Sequence, residues 1–386
     1  MGNIIKIIER ETNGTSFHSH KYCNDEIVMS GIEYDDKEEV SWKSYGETEL
    51  HKTCINLKNK ADILKKDRSI FTYFLDGSRH TYKVDDISYN KNIYPIVAGQ
   101  IGIGCCKRVN KVIQKENFTR KLVIALPKVA NSEGWQTESV FNELLNTINK
   151  ESKIKERFGI EFDKVLDYKK EHKDDKFEKK AIARIQDYMI ELEKDAVANL
   201  VIQGKLNEDN YLIKDGSLEY KKVSEKVKNS KNLSDKEIAN HYKYVIGVSK
   251  SFNPLKCLIK GGGSNSDIIA NLKPFERTPA YMYQSEISGN NVYFLIWYLR
   301  LREARYTKNI FDGVVKVEKL IIKEEEKENG VDSESIDIIS AHLLNERNPT
   351  CYGADKRWAN HIYPIYLTEN FIKSKYLSSS LFMELF

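Results

Sequence analysis

Short apolar runs, many of them alternating with polar positions, recur along the chain, and turn-forming residues separate them. Three such runs follow one another between residues 69 and 106, each rich in β-branched and aromatic side chains, which is typical of an antiparallel meander of strands. KLVIALP predicts a fourth strand, and SVFNELLNTIN predicts an amphipathic helix after it. A longer helical period then extends over roughly residues 175–204.

The second half of the chain adds further strands and then ends in helices. The long helix leads into the strand NYLIKDG, and the run YKYVIGVSKS predicts the next strand. MYQSEIS, NVYFLIWYLRLRE and FDGVVKVEKLII predict three more strands, and helices are expected at about 333–346 and 366–378. This order favours an α/β fold, a mixed sheet flanked by helices.

Two stretches lack such a pattern. Residues 1–65 show weak periodicity, so we interpret them as an N-terminal appendage that serves in partner docking, ahead of a main domain of residues 66–386. A densely charged stretch at about 150–180 is interpreted as an exposed helical insertion.

Composition excludes several classes of protein. The chain has 386 residues, 40% of them hydrophobic, which is enough for a large core. A net charge of +4 provides no strong basic field for nucleic acid. No apolar run is long enough to span a bilayer, and the N-terminus does not resemble a signal peptide. The six cysteines lack a zinc spacing, so we expect reduced thiols in a cytoplasmic protein without membrane association.

Two Asp-Gly-Ser triplets, each at the end of an apolar run, are the most suggestive local feature. They begin at Asp76 and Asp215. Turn chemistry is one explanation, because Asp bonds its own backbone and Gly tolerates positive φ. In the other explanation both aspartates lie at strand ends in one crevice and share two divalent ions, about 4 Å apart, which activate water for phosphodiester hydrolysis.

A third carboxylate is expected from the long helix that precedes Asp215. Glu191 has Asp187 and Asp195 one turn away on either side, so its helix face is charged and solvated. Glu193 lies at the edge of the apolar face and points towards the sheet. We favour Glu193 as a metal ligand and keep Glu191 as the alternative, although a glutamate that reaches out to water fits the same pattern.

Three basic residues are candidates for phosphate contacts. Lys250 follows the strand YVIGVS and could hold a phosphate oxygen as a point charge, or it could be an ordinary surface lysine. Arg300 and Arg302 share one face of a strand, where they could line a DNA backbone or simply face solvent.

The order of these motifs resembles the NurA nuclease domain over roughly residues 68–380. FLDGS, a helix that leads into YLIKDGSL, YVIGVSKS and HIYPIYLTENFIKSK follow one another as in that family. The resemblance implies an RNase H-like fold and a DNA nuclease dependent on Mn²⁺ or Mg²⁺. It also implies a homodimer that works beside a hexameric HerA-type ATPase, in DNA end processing or antiphage defence. On this basis Asp76, Glu193, Asp215 and Lys250 would be catalytic.

The chain departs from the family pattern near its C-terminus. Glu369 and Asn370 stand where the resemblance leads us to expect a histidine or an aspartate, so Glu369 and the nearby His361 are both candidates for a fourth metal ligand. Two other hypotheses stay open. One is a catalytically inactive, nuclease-like scaffold for the translocase, which would have lost an acidic residue. The other is an actin-like ATPase, which needs a glycine-rich phosphate hairpin that SRHTYK does not provide.

Overall fold

The structure is a computed structural model. It describes residues 3–26, 42–49, 54–131, 137–170, 175–219, 239–253, 265–284, 292–303, 307, 309–347 and 358–386. The helices are α1 (Ile4–Thr12), α2 (Lys58–Leu64), α3 (Thr137–Glu151), α4 (Ile154–Phe158), α5 (Phe177–Ile202), α6 (Ser266–Ala270), α7 (Glu324–Asn329), α8 (Ser333–Asn345), α9 (Tyr363–Lys373) and α10 (Ser379–Met383). The strands are β1 (Thr15–Ser16), β2 (Tyr22–Cys23), β3 (Trp42–Tyr45), β4 (Ile55–Asn56), β5 (Phe71–Tyr89), β6 (Asn92–Val109), β7 (Val112–Pro127), β8 (Phe162–Tyr168), β9 (Tyr211–Asp215), β10 (Val245–Ser249), β11 (Glu276–Arg277), β12 (Tyr281–Gln284), β13 (Tyr293–Arg300) and β14 (Val314–Ile321).

One mixed sheet joins these strands. Its main path runs β3-β12-β13-β14-β10-β9-β5-β6-β7-β8. β5, β6 and β7 form the antiparallel meander, whereas β9 runs parallel to β5 and β10 runs parallel to β9. The helix α5 lies between the meander and β9 in the sequence, as a crossover between parallel strands requires. A meander extended beside its first strand by two parallel strands is an RNase H-like arrangement, so the predicted α/β fold is confirmed.

Helices cover both faces of the sheet around β5 and β9. α5 packs on one face, where Leu75 of β5 belongs to the same apolar cluster as Ile185 and Met189. α9 packs on the other, where a Cβ added to Gly104 of β6 would meet Ile372. We call these the α5 face and the α9 face. Successive residues of a strand point to opposite faces, so each position of β5 and β9 can be assigned to one of them.

β5 is longer than its sequence pattern predicts. The turn expected at Asp76 and Gly77 is absent, because the strand continues from Phe71 to Tyr89 and Asp76 pairs with Gly104 of β6. Glycine is needed at position 77 for a different reason. A Cβ there would lie 2.2 Å from Glu193 Oε1, so the missing side chain lets α5 bring a carboxylate against the strand.

The described parts of residues 1–65 are built into the sheet, not appended to it. α1 places four isoleucines in an apolar cluster, and β1 and β2 pair with β5. β3 pairs with β12, and β4 pairs with β11. Glu47 and Arg277, both fully enclosed, form an ion pair of 2.8 Å. The segment therefore shares its core and its hydrogen bonds with the rest of the fold.

The charged stretch at about 150–180 also contributes to the sheet. It includes α4, the start of α5 and the strand β8, which pairs in parallel with β7 at the sheet edge. Phe162, Leu166 and Tyr168 of β8 are buried between charged neighbours. The prediction of an exposed helical insertion missed this strand, because its few apolar positions lie among many charged residues. Residues 171–174 lie outside the described part of the chain.

None of the helices in the described ranges is long and apolar enough to cross a membrane.

Candidate active site

Asp76 and Asp215 lie side by side on adjacent parallel strands. The register of β5 and β9 aligns Leu75 with Lys214, so the next residues along the two strands are the two aspartates. Adjacent strands are about 4.8 Å apart, and residues at the same level share a face. Gly104, the β6 partner of Asp76, is covered by α9, which places both aspartates on the α9 face.

The second Asp-Gly-Ser triplet does form a turn. β9 ends at Asp215, and Gly216 has a φ of 81°, a backbone conformation that favours glycine. The chain then folds back over β10 at Gly247. A Cβ on Gly247 would lie 2.8 Å from Leu218 Cγ and 3.0 Å from the Gly216 carbonyl oxygen. A side chain at this position of β10 would displace the turn and, with it, the end of β9.

Glu369 of α9 is the third carboxylate of the site. Lys250 Nζ lies 3.0 Å from Asp215 Oδ2 and 3.1 Å from Glu369 Oε2, so the ammonium group bridges carboxylates of two elements. Of the two residues predicted as a fourth ligand, Glu369 thus reaches the aspartates. His361 is buried and packs on Tyr366, with 5.3 Å between the ring centroids.

The Asp76 carboxylate is the unusual group of this site. The residue is 4% exposed, and within the described ranges its carboxylate makes no hydrogen bond and no ion pair. Burial raises the pKa of Asp76 well above its ordinary value, and the charges of Asp215 and Glu369 raise it further, while Lys250 opposes the shift. A buried carboxylate in this position is unfavourable unless it is protonated or has a cation beside it.

Glu369 behaves in the opposite way. Burial alone would raise its pKa, but the ammonium groups of Lys250 and Lys373 outweigh burial and lower the pKa to about 2. Lys373 lies one helical turn further along α9, with its Nζ 2.7 Å from Glu369 Oε1. Glu369 is therefore anionic at neutral pH. The Asp215 side chain is 21% exposed, so the cluster opens to solvent on that side.

Glu193 lies on the α5 face, away from the two aspartates. It is buried, whereas Glu191 is exposed, so the helical period distinguished the two glutamates correctly. Glu193 Oε2 lies 2.8 Å from Lys214 Nζ. Burial raises the pKa of Glu193, and the pairing with Lys214 opposes that rise. Because Lys214 and Asp215 are successive residues of β9, they point to opposite faces. A direct role of Glu193 as a metal ligand stays a prediction.

The sequence analysis did not identify Lys214 or its ion pair with Glu193. The available signal was a lysine in the middle of the apolar run YLIKDG, where a buried charge requires a partner. That partner is Glu193, a carboxylate at the edge of an apolar helix face. Considered together, the two residues would have predicted an ion pair between α5 and β9.

The donors on the α9 face suit a hard divalent cation. Asp76, Asp215 and Glu369 offer only carboxylate oxygens, the ligands that Mg²⁺ and Mn²⁺ prefer. Within the described residues, no three His, Cys, Asp or Glu side chains already stand as a metal-binding set. In this arrangement the cation between two of the three carboxylates is the Lys250 ammonium. The donor chemistry therefore fits a metal ion, provided that Lys250 turns away.

Arg300 and Arg302 do not line the site, and their prediction as DNA contacts is not supported. Arg300 is 3% exposed and donates to backbone carbonyl oxygens, including those of Ala270 and Ile310. The Arg302 guanidinium donates to the Ala359 carbonyl oxygen and lies over the Trp358 ring. Both arginines connect chain segments in the interior.

Comparisons with known proteins add one structural likeness. No protein-family model and no curated protein matches the sequence. Among solved structures, the NurA nuclease from Sulfolobus solfataricus is similar, with a TM-score of 0.44 and 11% sequence identity, over 89% of this chain and 84% of that chain. At this TM-score the likeness carries no conclusion about activity, which must be inferred from the side chains of the site.

Proposed function

We propose that the protein is a metal-dependent DNA nuclease whose Asp76, Asp215 and Glu369 bind Mn²⁺ or Mg²⁺. One observation carries the proposal, namely the buried residue Asp76, whose carboxylate makes no ion pair with any residue in the described part of the chain and lies beside two further carboxylates. Three acidic groups from two strands and a helix repel one another, and the Lys250 ammonium forms ion pairs with only two of them. A divalent ion would neutralise them together, and this benefit explains why such an arrangement is built into a well-packed sheet.

The side chains would divide the work of phosphodiester hydrolysis. The bound metal would supply Lewis-acid stabilisation and activation of water. Asp76 and Asp215 hold a fixed direction because adjacent strands of the sheet carry them, and Glu369 approaches from α9. Lys250, once its ammonium group leaves the carboxylates, can bind a phosphate oxygen on which negative charge develops. Glu193 stays a proposed ligand, although it lies on the α5 face and would have to leave Lys214 and move to the side of the sheet that carries the aspartates.

DNA is the proposed substrate, and the protein is proposed to depend on partners to engage it. The net charge of +4 on 386 residues provides little attraction for a phosphate backbone. A homodimer docked on a hexameric, HerA-type translocating ATPase would raise the local concentration of DNA at the site. Such an assembly would act in DNA end processing or in antiphage defence.

The competing hypotheses are less well supported by the site. An inactive scaffold is expected to have lost an acidic residue. Asp76, Asp215 and Glu369 are all present, and Asp76 is an aspartate although burial and its acidic neighbours disfavour its charge. An actin-like ATPase needs a phosphate-binding hairpin. Gly77, the glycine after Asp76, does not form such a hairpin, because it lies within a continuous strand and against Glu193.

A cleavage assay with the purified protein tests the proposal. Linear double-stranded and single-stranded DNA are incubated with Mn²⁺, with Mg²⁺ and with EDTA, using the wild type, Asp76→Asn and Asp215→Asn. We expect cleavage only with a divalent ion and a loss of at least about a hundredfold in either variant. Asp195→Asn, an exposed change on α5, is the control and should cleave like the wild type. Metal-dependent cleavage that survives in both aspartate variants would place the active site elsewhere.

A further inference from the structure

The turn that follows Asp215 is held on the α5 face by a buried glutamate. Glu318 of β14 is 2% exposed and accepts hydrogen bonds from two groups of this turn, the Ser217 hydroxyl and the Leu218 amide. Ser217 Oγ lies 3.1 Å and 2.8 Å from its two carboxylate oxygens, and the Leu218 amide nitrogen lies 2.7 Å from Oε2. A carboxylate that accepts both a hydroxyl and a backbone N–H fixes the path of the main chain between them.

Lys214 holds the same turn from its other side. Its Nζ donates to the carbonyl oxygens of Asp215, at 3.1 Å, and Ser217, at 3.2 Å. The third partner of the ammonium group is Glu193 on α5, which keeps the lysine in place. The turn is therefore enclosed between a donor on β9 and an acceptor on β14.

The sheet register brings these groups together. Lys214 pairs with Gly247 of β10, and Gly247 pairs with Glu318, so the three positions form a row across the α5 face. Because Gly247 has no side chain, the turn can lie between Lys214 and Glu318. Glu318 stays ionised. Burial alone would raise its pKa, but Lys316, whose Nζ lies 2.8 Å from Glu318 Oε1, and the hydrogen-bond donors of the turn lower the pKa below its ordinary value.

We propose that Glu318 and Lys214 are positioning residues that direct the Asp215 carboxylate towards the α9 face, an inference that rests on the proposed metal site. The two residues touch neither the α9 face nor the phosphate that would bind there. They act through the backbone of residues 216–218, which we call the clamp turn. Fixing this turn stops the last residue of β9 from rotating, so Asp215 meets a metal ion in a direction that is already set.

The test combines two measurements on Glu318→Gln and on the milder Ser217→Ala, which removes only one donor of the turn. Amide hydrogen exchange reports on the clamp turn itself, and calorimetric titration with Mn²⁺ reports on the metal site, both at a temperature where every variant is folded. We expect faster exchange at residues 216–218 in both variants. Mn²⁺ affinity should fall by about tenfold or more in Glu318→Gln and by less in Ser217→Ala.

Glu346→Gln is the matched control. Glu346 is also a buried carboxylate in an ion pair, with Arg108, but it accepts a hydrogen bond from Ser69, just before β5, and does not contact the clamp turn. The Glu346→Gln variant should have a lower free energy of unfolding but an unchanged affinity for Mn²⁺. Unchanged affinity in Glu318→Gln and Ser217→Ala, or unchanged exchange at the clamp turn, would overturn the inference while leaving the metal site intact. A wild type that binds no Mn²⁺ would show instead that the proposed function is wrong, and the inference would be wrong with it.

Discussion

Asp76 and Glu369 illustrate how the same kind of side chain takes opposite electrostatic roles a short distance apart. Two lysines lower the pKa of Glu369 to about 2, and burial among carboxylates raises that of Asp76. The difference arises because the Lys250 ammonium reaches Asp215 and Glu369 within 3.1 Å, whereas Asp76 makes no ion pair with any described residue. Asp76 is therefore the carboxylate for which a metal ion would matter most.

Replacing Asp76 by asparagine should stabilise the metal-free protein at neutral pH. Protonation of Asp76 stabilises the folded state, because its folded-state pKa lies above the ordinary 3.8. That contribution is complete below pH 3.8 and is lost as the pH rises through the folded-state pKa. Asp76→Asn lacks the penalty, so its melting temperature should exceed that of the wild type by about 1–4 °C at pH 7.5 in EDTA.

The same comparison at pH 4 should show a smaller difference, since the wild-type carboxyl is then largely protonated in the folded state. Glu191→Gln serves as the control, because this glutamate is exposed on α5 and should melt like the wild type at both pH values. A lower melting temperature for Asp76→Asn at pH 7.5 would mean that the carboxylate has a stabilising partner after all.

Lys250 is expected to compete with metal ions in the absence of DNA and to assist cleavage in its presence. Lys250→Met removes the ammonium from between Asp215 and Glu369, so Mn²⁺ should bind more tightly to the free variant in calorimetry. Cleavage should nevertheless slow by about tenfold or more, with a smaller effect on DNA binding, because the lysine acts on charge that develops in the transition state.

The matched control for this change is Lys373→Met. Lys373 also pairs with Glu369, but its side chain is 47% exposed and it makes no ion pair with Asp215. It should alter Mn²⁺ affinity and cleavage only slightly. Equal losses of DNA binding and cleavage rate in Lys250→Met would assign this lysine to the DNA backbone instead of the reacting phosphate.

Among the elements, β9 was predicted from sequence better than β5. The run NYLIKDG predicts a strand that ends on a carboxylate, and β9 does end at Asp215. The same letters at Asp76 lie inside a strand, because an Asp-Gly pair suits either a turn or a site of close backbone approach. Whether an Asp-Gly pair forms a turn or a close approach depends on what packs against it. At Gly77 the neighbour is Glu193 of α5, more than a hundred residues further along the chain. Period-two alternation likewise predicted Arg300 and Arg302 on one strand face, but β13 ends at Arg300 and both arginines are buried.

Gly77→Ala tests the close approach of α5 to β5. The new Cβ would lie 2.2 Å from Glu193 Oε1, and the displaced carboxylate would lose its geometry with Lys214. We expect a loss of about 1–3 kcal/mol in the free energy of unfolding, measured by denaturant titration. Glu193→Asp shortens the opposing side chain, so the double variant should lose less than the sum of the two single changes. Additive losses would show that the two positions do not meet.

The fold as a whole depends on its N-terminal segment more than the sequence suggested. Its weak periodicity reflects short elements that each pair with a different part of the sheet, so no window of sequence contains a complete pattern. The helix α1 alone buries four isoleucines in the core. Partner docking by residues 1–65 stays a prediction, but removing the segment is not a clean test of it.

Deleting residues 1–26 should prevent stable folding. Burying one isoleucine contributes about 1.5–3 kcal/mol, so the four isoleucines of α1 together approach the typical total stability of a domain. We expect an insoluble or molten product, detected by the loss of near-ultraviolet circular dichroism and of a cooperative melt. A truncated protein that melts cooperatively at the wild-type temperature would restore the interpretation of this segment as an appendage.

A crystal soaked with Mn²⁺ and measured at a wavelength where manganese scatters anomalously tests the metal site most directly. The proposed function predicts an anomalous peak on the α9 face, bound by Asp76, Asp215 and Glu369, with the Lys250 ammonium moved away from these carboxylates. A peak elsewhere in the molecule, or no peak at these carboxylates at saturating Mn²⁺ with the Lys250 ion pairs intact, would contradict it.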